Sequence, residues 1–124
     1  MNNDVSTNDV NNREFKKYYR SKQYKEIKQD LLEQNERNGT TGKYYIDLIE
    51  DYMDMWVTKC LLITDIKDRG VKFEYNNGGG QKGIKKNESI DLLIKLNGQM
   101  LKLLTEIGIK PSQQDGDFND CEEM

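Results

Sequence analysis

Apolar positions recur at helical spacing in three separate stretches of this chain. Tyr24, Ile27, Leu31 and then Asn35 fall at i, i+3, i+7 and i+11, and predict a helix from about Ser21 to Asn38 with Gly39 as its stop. Residues 13–20 extend it only out of phase, because Phe15, Tyr18 and Tyr19 miss that stripe. Thr40 or Thr41 caps a second helix, from about Gly42 to Arg69 and ended by Gly70. At 1.5 Å per residue it is about 40 Å long. Its main stripe is Tyr45, Ile49, Tyr52, Trp56, Cys60 and Ile63; a second holds Ile46, Met53, Val57 and Leu61. Two stripes require burial on more than one side. Either this is a central core helix, or one stripe packs on a neighbouring subunit, since two further helices can hardly cover both.

A third helix runs from about Ile90 to Ile107, capped by Asn87 or Ser89 and stopped by Gly108. Ile90, Leu93, Asn97, Met100, Leu104 and Ile107 follow a heptad, with Leu92, Leu96 and Leu103 beside it. Asn97 in such a stripe is either a hydrogen-bonded core residue or a register-setting polar group between helices. Between the second and third helices, Val71 to Tyr75 alternates with period two and runs into Asn76-Asn77-Gly78-Gly79-Gly80. That predicts a short β-hairpin with a glycine-rich tip. Residues 1–12 lack apolar periodicity and are expected without regular structure. The expected fold is mainly α: a helical bundle with a long central helix, a short hairpin or Gly-rich loop and a C-terminal amphipathic helix. The expected domains are a disordered, basic N-terminal arm over 1–20, a helical oligomerisation core over 21–111, and a disordered acidic tail over 112–124.

Charge sharpens this picture. The 124 residues carry a net charge of −3, yet residues 13–28 hold Arg13, Lys16, Lys17, Arg20, Lys22, Lys25 and Lys28 against Glu14 and Glu26 only. Lys82, Lys85 and Lys86 add a second basic cluster, and residues 115–124 are acidic throughout their charged positions. Charge blocks are commonly solvated faces. A basic segment laced with Phe15, Tyr18, Tyr19 and Tyr24 also suits phosphate contact and base stacking. The acidic tail either solubilises the chain or shields the basic segment.

Catalytic chemistry is hard to find. No His is present, so imidazole-based zinc sites and acid–base catalysis are excluded. Cys60 and Cys121 cannot build a disulfide scaffold or a four-cysteine zinc site, and Cys60 sits on an apolar stripe with no base to activate it. Gly78 and Gly83 have the spacing of a phosphate-binding loop, but Ile84 stands where its lysine belongs. Asp47, Glu50, Asp51 and Asp54 line one helix face; they are a solvated surface, a Mg²⁺ cluster, or a docking strip for a basic segment. No enzyme activity, metal or cofactor is expected. No apolar run is long enough for a membrane span and no leader pattern opens the chain, so a cytosolic protein is expected.

The order of these features resembles a known family. A helix, a glycine break, a long Tyr-rich helix ending in Arg69-Gly70, an Asn77-Gly78 loop, and Lys86-Asn87-Glu88 opening a helix that closes in Glu106-Ile107-Gly108-Ile109-Lys110-Pro111-Ser112 are similar to the small terminase subunits of tailed phages and prophages. The resemblance covers about Lys22 to Ser112. It implies a non-catalytic ring of roughly 8–12 subunits in the cytoplasm of a bacterial host. Such a ring binds double-stranded viral DNA and delivers it to the large subunit, which holds the ATPase and nuclease. Apolar stripe residues (Tyr45, Ile49, Tyr52, Trp56, Ile63, Leu93, Met100, Leu104) are then the expected subunit interface. Many family members carry a separate N-terminal helix-turn-helix domain, for which there is no room before Ser21. DNA contact then falls, by charge alone, to Lys16, Lys17, Arg20, Lys22, Lys25 and Lys28, or to Lys82, Lys85 and Lys86. The competing expectation is a helical adaptor that binds a partner helix and no DNA.

Overall fold

A computed structural model of the chain describes residues 7–76 and 78–109. It is mainly helical with one small antiparallel sheet. The elements are α1 (Thr7–Tyr19), α2 (Lys22–Asn38), α3 (Lys43–Arg69), β1 (Lys72–Asn76), β2 (Lys82–Lys86) and α4 (Ser89–Ile107). The acidic tail, and residues 1–6 of the expected arm, lie outside the described residues.

Local chemistry sets the ends of these helices. Ser21 caps α2 by accepting the Tyr24 N–H at 3.1 Å, and Gly39 ends it in the left-handed region at φ 78°. Gly42, not Thr40 or Thr41, occupies the cap of α3 and supplies no side-chain bond. Thr40 instead closes the preceding turn, donating from its N–H and its hydroxyl to the Asn35 carbonyl.

α3 is the spine. Ile49, Met53 and Val57 are fully buried on it, and Trp56 nearly so. α4 packs along one part of its surface and contributes Met100, Ile107 and the following Ile109 to the same core. α1 and α2 cover another part, with Tyr24 and Leu31 inserted.

The described part of the N-terminal arm corrects the expectation that it lacks regular structure. Residues 7–19 form a helix, and its C-terminal half docks by aromatic rings rather than by an aliphatic stripe. Phe15, Tyr19, Tyr24 and Trp56 form a chain of rings with centroids 5.1, 5.2 and 5.9 Å apart, and Tyr18 meets Trp56 at 6.5 Å. Tyr18 also shares a 2.8 Å hydrogen bond with Thr64, and Tyr19 donates to Asp54 at 2.6 Å. α1 thus covers the main α3 stripe at Trp56, together with the neighbouring Asp54 and Thr64.

The hairpin pairs Lys72 with Lys86 through to Asn76 with Lys82. Gly78, Gly79 and Gly80 all have positive φ, which the tip requires. Gly83 lies inside β2 with the Tyr75 ring over it, so the P-loop spacing is a strand position and not a phosphate cradle.

A polar knot fixes the hairpin to the helices. Arg69 donates twice to Asp65, each at 2.7 Å, and once to Asn87 Oδ1 at 3.1 Å. The fully buried Asn87 donates to the Gly70 carbonyl at 2.9 Å and accepts the Ser89 N–H at 2.9 Å. Ser89 Oγ donates to Asp65 at 2.6 Å. The Arg69 guanidinium lies 4.4 Å from the centre of the Phe73 ring. Asn87 therefore begins α4 from two residues upstream, while the formal cap residue, Glu88, makes no side-chain bond.

Candidate nucleic-acid interface

The nine bases singled out for DNA contact divide sharply. Lys28 sits 2.6 Å from Glu50 and is only partly exposed. Its bond to Glu50 raises the lysine's pKa, so it remains charged while serving the α2–α3 contact. Lys17 pairs loosely with Glu14 at 3.9 Å, Lys22 with Glu26 at 3.8 Å, and Lys86 with Asp91 at 3.1 Å. Lys16, Arg20, Lys25, Lys82 and Lys85 are exposed and have no ion pair among the described residues.

These five occupy two places. Lys16 and Arg20 lie at the end of α1, and Lys25 in the first turns of α2, across the Ser21 junction. Lys82 and Lys85 lie on β2, beyond the end of α3. Strand alternation puts them on opposite faces of the ribbon.

Two further cations, not singled out by sequence, lie beside the α1–α2 junction. A cleft of about 230 Å³ between the α1–α2 junction and α3 is lined by Tyr18, Gln23, Trp56, Cys60, Lys59 and Lys67, among others. Lys59 and Lys67 line this cleft on α3, opposite Tyr18 of α1 and Gln23 of α2. Their signal was their spacing: with Ile63 they fall at i, i+4 and i+8 on one face of the helix. Cys60 in the same cleft has its thiol pKa raised by burial, which opposes thiolate formation.

Of the interleaved aromatics, Phe15 is exposed and the three tyrosines are engaged within the fold. Tyr18, Tyr19 and Tyr24 spend their rings on one another and on Trp56. Burial first, and then the bond to Asp54, pushes the Tyr19 hydroxyl pKa well up, so it stays a neutral donor.

The carboxylate face of α3 is also partly consumed within the chain. Glu50 takes Lys28 and Asp54 takes Tyr19, while Asp47 and Asp51 remain exposed. The docking strip considered for a neighbouring subunit is thus engaged by α1 and α2 of the same chain.

The expected interface residues need a similar correction. Ile49, Trp56 and Met100 are buried in the chain's own core, and Tyr52 and Leu104 pack against it. Tyr45, Ile63 and Leu93 are half-buried. Large apolar side chains left outside include Tyr44 and Ile46 on α3, Leu92, Ile94 and Leu101 on α4, and Phe15, Val71, Tyr75 and Ile84 elsewhere. Asn97 is exposed rather than in the core.

Among the described residues, no helix is long and apolar enough to cross a membrane. Comparison with protein-family models, with curated proteins and with solved structures returns no match for this chain.

Proposed function

We propose that this chain is the small subunit of a phage terminase, a non-catalytic oligomer that binds double-stranded viral DNA and passes it to a large ATPase–nuclease subunit. The observation that carries the DNA-binding part is the set of three exposed cations around the α1–α2 junction. Lys16, Arg20 and Lys25 face solvent without a carboxylate partner among the described residues, while Lys28 is reserved for Glu50. Lys59 and Lys67 add two cations in the cleft beside Tyr18 and Gln23. One subunit presents few phosphate contacts and binds weakly, with marked salt dependence. A ring of roughly 8–12 copies multiplies those contacts through effective concentration. The order of motifs from Lys22 to Ser112 supports the family assignment.

Fluorescence anisotropy with a duplex of mixed sequence, titrated at several salt concentrations, tests the reading. Replacing Lys16, Arg20 and Lys25 together by Glu lowers affinity several-fold or more. It also flattens the plot of log K against log salt by roughly 0.9 for each phosphate that is no longer neutralised. Unchanged affinity and slope would remove these residues from the DNA surface. No retention on duplex DNA by the unaltered protein would leave the adaptor reading. Native mass by light scattering, at low and high salt, tests the ring. Apolar interfaces survive screening, so the large species persists in high salt.

A further inference from the structure

The outer surface of α4 carries an apolar stripe that the chain itself covers only at its two ends. Ile90, Ile94, Asn97, Leu101 and Leu104 step by 4, 3, 4 and 3 residues along the helix. Ile94 is 66% exposed and Leu101 58%, at the middle of the stripe; Ile90 and Leu104, at its ends, are half-buried. The intramolecular face of the same helix, with Met100 and Ile107, points elsewhere. This is a coiled-coil seam distinct from the core seam, with one polar residue at its centre.

From the structure we infer that α4 pairs with α4 of a second copy of this chain, antiparallel, about a two-fold axis through Asn97. The stripe is nearly palindromic about that residue. Ile90 lies seven residues before Asn97 and Leu104 seven after; Ile94 lies three before and Leu101 four after. Antiparallel pairing therefore sets Ile90 level with Leu104 of the other copy, and Ile94 one residue out of level with Leu101, close enough for the two side chains to meet. The two Asn97 amides meet at the centre, where each offers both a donor and an acceptor. Asp91 of one copy, which Lys86 of the same chain already contacts, then comes within one residue of the level of Lys102 of the other, an opposite-charge match at each end. Gly98 beside the axis has open space where a Cβ would stand, which permits close approach of the backbones. The contact is isologous and requires nothing of DNA. It goes beyond the proposed function by naming the surface and the symmetry, and a ring built from such pairs has an even number of subunits.

Cysteine cross-linking in the full-length protein carrying Cys60→Ser and Cys121→Ser tests the geometry. Asn97→Cys forms a disulfide-linked dimer on mild oxidation. Ile90→Cys and Leu104→Cys each stay uncross-linked alone but form a mixed dimer when combined. Efficient self-linking of Ile90→Cys, which a parallel pair would give, overturns the inference, as does an uncross-linked Asn97→Cys. Ile94→Gln with Leu101→Gln provides an independent arm: both side chains are exposed, so the helical circular dichroism is retained while the native mass halves or falls to the monomer. A mass unaffected by that change overturns the pairing and leaves the stripe to a different protein. A cross-linked dimer that never grows beyond two copies upholds the pairing while refuting the ring.

Discussion

Asn87 offers the sharpest test of how the hairpin is held. It is fully buried, and its side chain alone joins the Gly70 carbonyl, the Ser89 N–H and Arg69. Asn87→Ala removes all three links but leaves the backbone bond from its N–H to the Val71 carbonyl. Arg69 is little affected, because it keeps both bonds to Asp65 and its place over Phe73. The Gly70 carbonyl and the Ser89 N–H are stranded in a place water reaches poorly. At about 1–2 kcal/mol for each stranded group, the expected cost is roughly 2–4 kcal/mol. That is a large share of the ~5–15 kcal/mol typical of a whole domain.

Urea denaturation followed by circular dichroism measures it. The midpoint of Asn87→Ala falls by about 1–2 M with an unchanged slope. Asn76→Ala is the internal control: Asn76 also accepts a backbone N–H, from Gly78 at 3.1 Å, but it is exposed at the hairpin tip and costs less than about 0.5 kcal/mol. Asn87→Asp separates the two roles of the amide. It keeps the acceptor for Ser89 but puts an oxygen against the Gly70 carbonyl and a charge near Asp65, so it is no more stable than the Ala variant. Equal midpoints for Asn87→Ala and Asn76→Ala would refute the claim that the knot, rather than strand pairing, anchors the hairpin.

Further outcomes follow from the same geometry. The bonds from Arg69 and Ser89 lower the Asp65 pKa from 3.8 to about 2. A depressed carboxylate stabilises the fold above its unfolded pKa, so this contribution is complete at neutral pH and disappears as pH falls from about 4 toward about 2. Asp65→Asn is less stable than the parent at pH 7, and the gap narrows across that window in acid titrations of thermal stability; a constant gap would contradict the assignment. A double-mutant cycle of Lys28→Ala and Glu50→Ala yields a coupling of about 0.5–1 kcal/mol that shrinks at high salt, since both groups are partly exposed. Gly39→Ala, at φ 78°, costs about 1–2 kcal/mol in thermal melts. Gly42→Ser gains a few tenths of a kcal/mol, because the α3 cap there has no side-chain bond.

The parts of the fold legible in the sequence are those decided locally. Ser21 and Gly39 bound α2, Gly70 ends α3 and Gly108 ends α4, each through short-range hydrogen bonds or a backbone conformation that glycine favours. The alternation from Val71 to Tyr75 and the following glycines marked the hairpin for the same reason. α1 was not legible, because Phe15, Tyr18 and Tyr19 reach in different directions, toward Tyr24, Trp56, Asp54 and Thr64, rather than along one stripe. The basic surface was legible as a charge count but not as a set of free cations. Whether Lys28 is available depends on Glu50, 22 positions away, and only the packing of α2 on α3 brings them together. The heptad on α4 was visible, yet its core seam and its exposed seam share Leu104 and run beside each other. Which seam holds Asn97 depends on how α4 is rotated against α3, and no local signal fixes that rotation.

Position in the fold then links the two proposed surfaces. α3 packs against both α4 and the α1–α2 pair, whereas α4 makes no comparable packing with α1 or α2. The stripe assigned to self-pairing and the bases assigned to DNA therefore sit on elements that meet only through the spine. Joining two copies through the outer face of α4 adds the Lys59 and Lys67 of a second α3 without using α1 or α2, which hold Lys16 and Lys25. Had Ile94 and Leu101 been on α1 instead, assembly would have covered the bases it needs to multiply. The tie from Tyr19 to Asp54 and from Lys28 to Glu50 serves the same end, because it clamps the cationic helices to the spine that carries the pairing helix. Duplex affinity should accordingly fall with Ile94→Gln and Leu101→Gln even though neither residue bears charge. The salt slope per bound subunit should stay unchanged, since the phosphate contacts of each copy remain intact.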